Sequence, residues 1–213
     1  TMGEYLAAAG VTQYAVSETQ KFGHVTYFWN GNRGGMFDPD TETYEVVPSD
    51  QVPFDQRPWM KAAEVTDCML AALETGRYRF LRLNYPHGDM VGHTGACLPT
   101  VLSLEAMDLS LGRLVEAVER VKGTLVVTGD HGNAEDMVER DADGKPKRGP
   151  DGVVKAKTAH SLNPVGLWIH RPDGLEVSLR SDLPEAGLAN LAATLLELLG
   201  FEPPEDYLPS VFT

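Results

Sequence analysis

Short apolar runs of strand character alternate along this chain with stretches whose apolar residues recur at helical spacing, and this alternation is its strongest constraint. Strand candidates are Gln13–Val16, Tyr78–Leu83, Thr124–Thr128 and Val165–Ile169. Helix candidates are Met2–Ala9, a stretch opened by Pro58 and running to Leu73, the amphipathic run from Leu98 to Val118 closed by Gly123, and Leu188–Leu199. Such alternation predicts an α/β domain built on a mostly parallel sheet. Sites in these sheets gather at the carboxyl ends of the strands. Between the regular segments, His24–Trp29 reads as a β-rich run and Met36–Arg57 as a largely irregular surface excursion. The polar stretch from Asp136 to Lys157 carries almost no apolar anchor and is expected to be a mobile loop.

Charge narrows the function classes. The 213 residues hold 18 Lys and Arg against 31 Asp and Glu, a formal charge of -13. That balance argues against nucleic-acid binding, which needs cationic side chains to neutralise phosphates. It argues equally against docking on anionic membranes, and no apolar run reaches the ~20 residues of a membrane span. The two cysteines, Cys68 and Cys97, make no disulfide framework and fit a reducing, cytoplasmic compartment. Cys68 lies among apolar helix residues and reads as a structural thiol. The chain opens on Thr rather than Met, which suggests a piece of a longer polypeptide.

Three segments carry the chemistry: Asp89-Met-Val-Gly-His93, Asp130-His131-Gly-Asn-Ala-Glu135 and Thr158-Ala-His160-Ser-Leu-Asn-Pro164. Each sets Asp or His just after a predicted strand or in a loop before one. Neutral imidazole together with carboxylate suits Mn or Zn better than the all-oxygen sites of Mg or Ca. Asp89 and His93 can face one ion if their loop turns helically, and Asp130-His131 can contribute to one centre if the strand end bends sharply. Each pairing alone is also what turn caps and solvated loop residues look like, so the reading rests on all three together. Of the remaining histidines, His170 reads as surface, His24 as structural, and His87 as either a neighbour of the ligands or an exposed loop residue.

These strings resemble the metal-ligand motifs of the cofactor-independent (2,3-bisphosphoglycerate-independent) phosphoglycerate mutases, members of the alkaline phosphatase superfamily. Ser17-Glu-Thr-Gln-Lys-Phe-Gly-His-Val-Thr26, followed by Phe28-Trp-Asn-Gly31, is similar to that family's segment bearing a substrate-contacting lysine. The resemblance implies a three-layer α/β sandwich of the alkaline-phosphatase type. It further implies interconversion of 3- and 2-phosphoglycerate through a phosphoserine, a step of glycolysis and gluconeogenesis, in a monomeric enzyme. Two divalent cations are implied, Mn first, with Mg, Zn or Co as alternatives. Asp89, His93 and His160 would hold one, Asp130 and His131 would contribute to the second, and Lys21 would contact the substrate phosphate.

The family usually has Pro at the position of Gly88 and Ala at that of Gly129, and neither change removes a ligand. Its first Asp motif, its nucleophilic serine in a Gly-Asn-Ser context and its inserted transferase domain have no counterpart here. The expectation is therefore a single domain over 1–213, the C-terminal part of the phosphatase domain, inactive by itself. Alternative readings are another superfamily metalloenzyme, a phosphatase or phosphopentomutase, and a catalytically inert metal-binding fragment.

Overall fold

The computed structural model describes residues 1–174, 178–183 and 186–212. In chain order the elements are α1 (Met2–Ala8), β1 (Gln13–Glu18), α2 (Phe22–Val25), β2 (Glu42–Val47), α3 (Ala62–Glu74), β3 (Phe80–Asn84), α4 (His87–Met90), α5 (Cys97–Val121), β4 (Leu125–Thr128), β5 (Leu167–His170) and α6 (Leu191–Leu198).

A parallel three-stranded sheet, ordered β2-β1-β3, forms the centre. Gln13 lies opposite Glu42 on one side and Phe80 on the other, and all six residues of β1 are buried. Burial on both faces is what a parallel strand under helical layers requires. Period-2 alternation sorts its side chains. Tyr14 and Val16 meet Val65, Met69 and Ala72 of α3 and Leu114 of α5, with Leu81 and Leu83 of β3 alongside. On the opposite face Met2 and Leu6 of α1 and Leu196 of α6 pack with Phe80 and Trp29. Helix, sheet and helix make the three expected layers.

α5 ends where its backbone turns left-handed at Lys122 (φ 55°), and Gly123 N–H then donates back to the Val118 carbonyl at 2.9 Å. This is the bond pattern of a Schellman close, with lysine rather than glycine in the left-handed position. Among the described residues no helix is long and apolar enough to cross a membrane.

Two expectations need correction. The run His24–Trp29 is not a strand. It forms α2 and successive turns, with Phe28 N–H bonded to the Gly23 carbonyl and Asn30 N–H to that of Thr26. Burial of Val25 and stacking of Trp29 on Phe80 (centroids 5.8 Å apart) override the β propensity of these residues. The stretch Met36–Arg57 is not wholly irregular, because Glu42-Thr-Tyr-Glu-Val-Val47 is β2 and ends on buried Val47. The parallel sheet expected for an α/β domain is present, and among the described residues β4 and β5 pair antiparallel beside it, Leu125 opposite His170, as a two-stranded ribbon.

The polar stretch 136–157 folds back on itself. Glu139 N–H donates to the Lys155 carbonyl, Lys147 N–H to that of Glu139 and Lys157 N–H to that of Met137. His87, for which one reading was an exposed loop residue, is fully buried.

Candidate metal centre

The loops that follow β1, β3 and β4 converge on one place. Lys21 follows β1 by three residues, the α4 turn carrying Asp89 follows β3, and Asp130-His131 follows β4. His160 arrives from the far side, held there because Ser161 N–H bonds the Gly132 carbonyl at 2.9 Å.

Asp89 is the hub. Its Oδ2 takes the Lys21 ammonium at 2.6 Å, with both side chains largely buried. Its Oδ1 lies 2.9 Å from His93 Nε2 and 2.9 Å from His160 Nε2, and those two nitrogens are 3.0 Å apart. Burial pushes the Asp89 carboxyl upward, but the Lys21 ammonium, His160 and His93 outweigh it and hold the pKa below the ordinary value. One turn of helix separates Asp89 from His93, so α4 and the 3-10 turn Gly92–Thr94 after it aim both at one point.

The donor set is what a cation needs. His93 Nδ1 faces the Thr158 carbonyl, an acceptor only, so that nitrogen carries the ring proton. In the neutral ring Nε2 then offers a lone pair toward Asp89 Oδ1 and His160 Nε2, an arrangement that calls for positive charge between them. An ion with bonds of about 2.1 Å at right angles would separate its ligands by about 3 Å, which is the edge length found here. The residues present fit a divalent cation.

His131 joins the same cluster rather than standing apart. Its ring stacks on His160 with centroids 3.7 Å apart and an 18° interplanar angle. Its Nε2 lies 3.8 Å from Asp89 Oδ1 and 3.6 Å from Asp130 Oδ1. Asp89, His131 and His160 each present one ligand atom within 4.8 Å of the others. Asp130 approaches only through His131 and opens to solvent, so the structure brings Asp89, His93, His131 and His160 together and leaves Asp130 at the rim. Lys21 is not a solvated turn residue but is 7% exposed against Asp89.

Sequence reasoning missed the supports. Asn133 is buried, and its Nδ2 reaches Asp89 Oδ1 at 3.5 Å. It seats against Gly92, where a Cβ would come within 2.5 Å of Asn133 Oδ1 and would displace the amide. His87 Nε2–H donates to the Trp59 carbonyl at 2.9 Å and fixes the start of α4. The position of Asn133 inside the Asp130–Glu135 string was the signal available for it. Nothing in the sequence pointed to Trp59.

A model of the metalloenzyme superfamily matches residues 1–203. The chain is 53% identical over 213 residues to the 2,3-bisphosphoglycerate-independent phosphoglycerate mutase of Trypanosoma brucei brucei, covering 99% of this chain and 38% of that one. It is 49% identical to the enzyme of the same name from Ricinus communis, again across 38% of the relative's length. Leishmania mexicana phosphoglycerate mutase, solved at low cobalt concentration, superposes with a TM-score of 0.95 at 51% identity, over 99% of this chain and 39% of that one. The chain thus spans about two fifths of the length of the relatives it matches. A parallel sheet with helices on both faces, a carboxylate and imidazoles gathered at its carboxyl edge, and a family match over nearly the whole sequence agree: this chain belongs to the metalloenzyme superfamily.

Proposed function

We propose that residues 1–213 form a single domain, the C-terminal portion of the phosphatase domain of a 2,3-bisphosphoglycerate-independent phosphoglycerate mutase. The whole enzyme would interconvert 3- and 2-phosphoglycerate through a phosphoserine on polypeptide outside this chain. The observation that carries the reading is the triangle of Asp89 Oδ1, His93 Nε2 and His160 Nε2, with edges of 2.9, 2.9 and 3.0 Å and Lys21 on the carboxylate's other oxygen. The names of the relatives support it, as do the open edges of β3 and β4, each of which pairs with a single strand among the described residues.

In this reading Asp89, His93 and His160 hold one divalent cation, and Asp130 and His131 contribute to a second. We assign Mn, with Mg, Zn or Co as alternatives, as the resemblance to the mutases implies, and the edges near 3 Å are compatible with a divalent cation. Bound there, the cations lower the pKa of a hydroxyl nucleophile and neutralise phosphoryl oxygens. Lys21 neutralises Asp89 Oδ2 and so turns Oδ1 toward the imidazoles. Its ammonium is the point charge that a phosphoryl oxygen would meet beside the cluster. The Thr158 carbonyl holds the His93 proton at Nδ1 and keeps Nε2 free to ligate. Cys68 and Cys97, both free thiols, accord with a cytoplasmic enzyme.

The test is an assay of the longer polypeptide containing this chain on 3-phosphoglycerate, ribose phosphate and a generic aryl phosphate, before and after chelation. Turnover of 3-phosphoglycerate that is lost on chelation and regained with Mn is expected. Preference for ribose phosphate, or turnover indifferent to chelation, would overturn the reading.

A further inference from the structure

Glu135 has no part in the chemistry above, yet two of the ligand-bearing segments meet at its carboxylate. Its Oε1 accepts hydrogen bonds from the Ser161 hydroxyl and from Asn163 Nδ2 at 3.0 Å. Its Oε2 accepts the backbone N–H of Asn133 at 2.7 Å. Ser161 follows His160 directly, and Asn133 lies two residues after His131. Glu135 itself is exposed, but Ser161 and Asn133 are buried, at 8% and 4%. A Cβ on Gly132 would overlap both the Ser161 hydroxyl and the Glu135 carboxylate, so a side chain there would push into the contact between them. The same contact leads onward, because Asn133 carries the link to Asp89 through its side-chain amide.

We infer that Glu135 is a positioning residue, a carboxylate clamp that sets His131 against His160 and thereby fixes the spacing of the ligand cluster. A carboxylate is required because three donors converge on it from two sides, and an amide side chain has only one oxygen to accept them. Short of the clamp, the two segments keep the Gly132–Ser161 bridge and, past the ligands, the Asp136–Lys157 ion pair, neither of which engages the Ser161 and Asn163 side chains that anchor this side of His160, and the stacked rings lose their fixed separation. The consequence for cation binding rests on the metal-centre reading, whereas the ring geometry does not.

Two measurements on the full chain separate these. In the metal-free protein, ring-to-ring nuclear Overhauser contacts between His131 and His160 are compared for wild type, Glu135→Gln and Ser161→Ala. Cobalt(II) is then titrated into each and followed by its visible absorption. Wild type should give the ring contacts and bind cobalt. Glu135→Gln should lose or weaken the contacts and bind about 10- to 100-fold less tightly, the range typical for groups that orient ligands. Ser161→Ala should fall between. Contacts and cobalt affinity unchanged in Glu135→Gln would overturn the clamp and leave the metal reading standing. Failure of wild type to bind cobalt would end the metal reading, and the ring contacts alone would then decide the clamp.

Discussion

Lys21 Nζ sits 2.6 Å from Asp89 Oδ2, and this pair decides which oxygen of Asp89 the histidines see. The two side chains are 8% and 12% exposed, so neither charge can be removed without leaving the other in a poorly hydrated place. Breaking a buried pair by deleting one partner is strongly destabilising. Lys21→Met should therefore destabilise the metal-free chain by about 2–3 kcal/mol, less than the full buried-pair figure because the site opens to solvent on the His160 side. A divalent cation at Oδ1 supplies the missing positive charge, so saturating Mn should close most of that gap. Thermal unfolding of both proteins with and without Mn checks this, and an equal gap in both conditions would sink it.

The triangle on Asp89 Oδ1 contains His160 but not Asp130, which reaches the cluster only through His131 at 3.6 Å. Deleting a vertex and deleting a rim carboxylate should then differ sharply. His160→Ala should weaken the tight ion by 100-fold or more, while Asp130→Asn should change it by less than about 5-fold. Calorimetric titration of Mn into the metal-free chain should find one tight ion in the wild type, since the second group keeps only two protein ligands here. Two equally tight sites, or equal losses in the two variants, would contradict the assignment.

Much of this site was legible in the sequence because its ligands come in short strings at strand ends. Asp89 and His93 lie four residues apart, a spacing that puts them on one face once the segment turns helically, as α4 and the turn after it do. The layered fold was legible for a similar reason, since apolar strands and helices differ in period. What was not legible depends on contacts distant in sequence. His131 reads as a partner of Asp130, and only the fold stacks its ring on His160. The aromatic run after His24 has strand-like composition, and only the packing of Trp29 on Phe80 turns it into helix and turns. β2 was hidden for a different reason, because its alternating Glu42, Tyr44 and Val46 sit amid prolines and acids that read as loop.

Glu18 gives the chain a pH dependence outside the cation cluster. Its carboxylate is 1% exposed at the end of β1, accepting from the Ser49 hydroxyl at 2.9 Å and the Lys61 N–H at 3.3 Å. Burial raises its pKa, and those two donors with the Lys61 charge recover only part of the shift. A carboxyl raised in the folded state favours folding when protonated, so its contribution is full below the unfolded value near 4.3 and is lost as pH rises through the folded value. Glu18→Gln removes the charge but keeps an acceptor. It should unfold at a higher temperature than wild type at pH 7, with the difference vanishing below about pH 4. Melting curves across pH 3.5–8 test the sign, and a variant less stable than wild type at pH 7 would reverse it.

The last prediction concerns covalent chemistry. A phosphoserine needs a hydroxyl free to face the cations, and five of the eight serines, those nearest the ligand-bearing elements among them, are hydrogen-bonded elsewhere. Ser17 donates to the Asn84 carbonyl at 3.1 Å, Ser103 to that of Thr100 at 2.8 Å and Ser110 to that of Ala106 at 3.0 Å. Ser49 donates to Glu18, and Ser161, nearest in sequence to a ligand, donates to Glu135. Ser103 and Ser110 are moreover buried in α5, where no substrate reaches. The 213-residue chain should thus bind a cation yet take no label from radioactive 3-phosphoglycerate and interconvert none of it, with Mn present or absent. Nucleophilic catalysis requires both the attacking oxygen and the charge that activates it, and the proposed site would supply only the charge. Acid-stable label on any serine of the purified chain would show that it carries its own nucleophile.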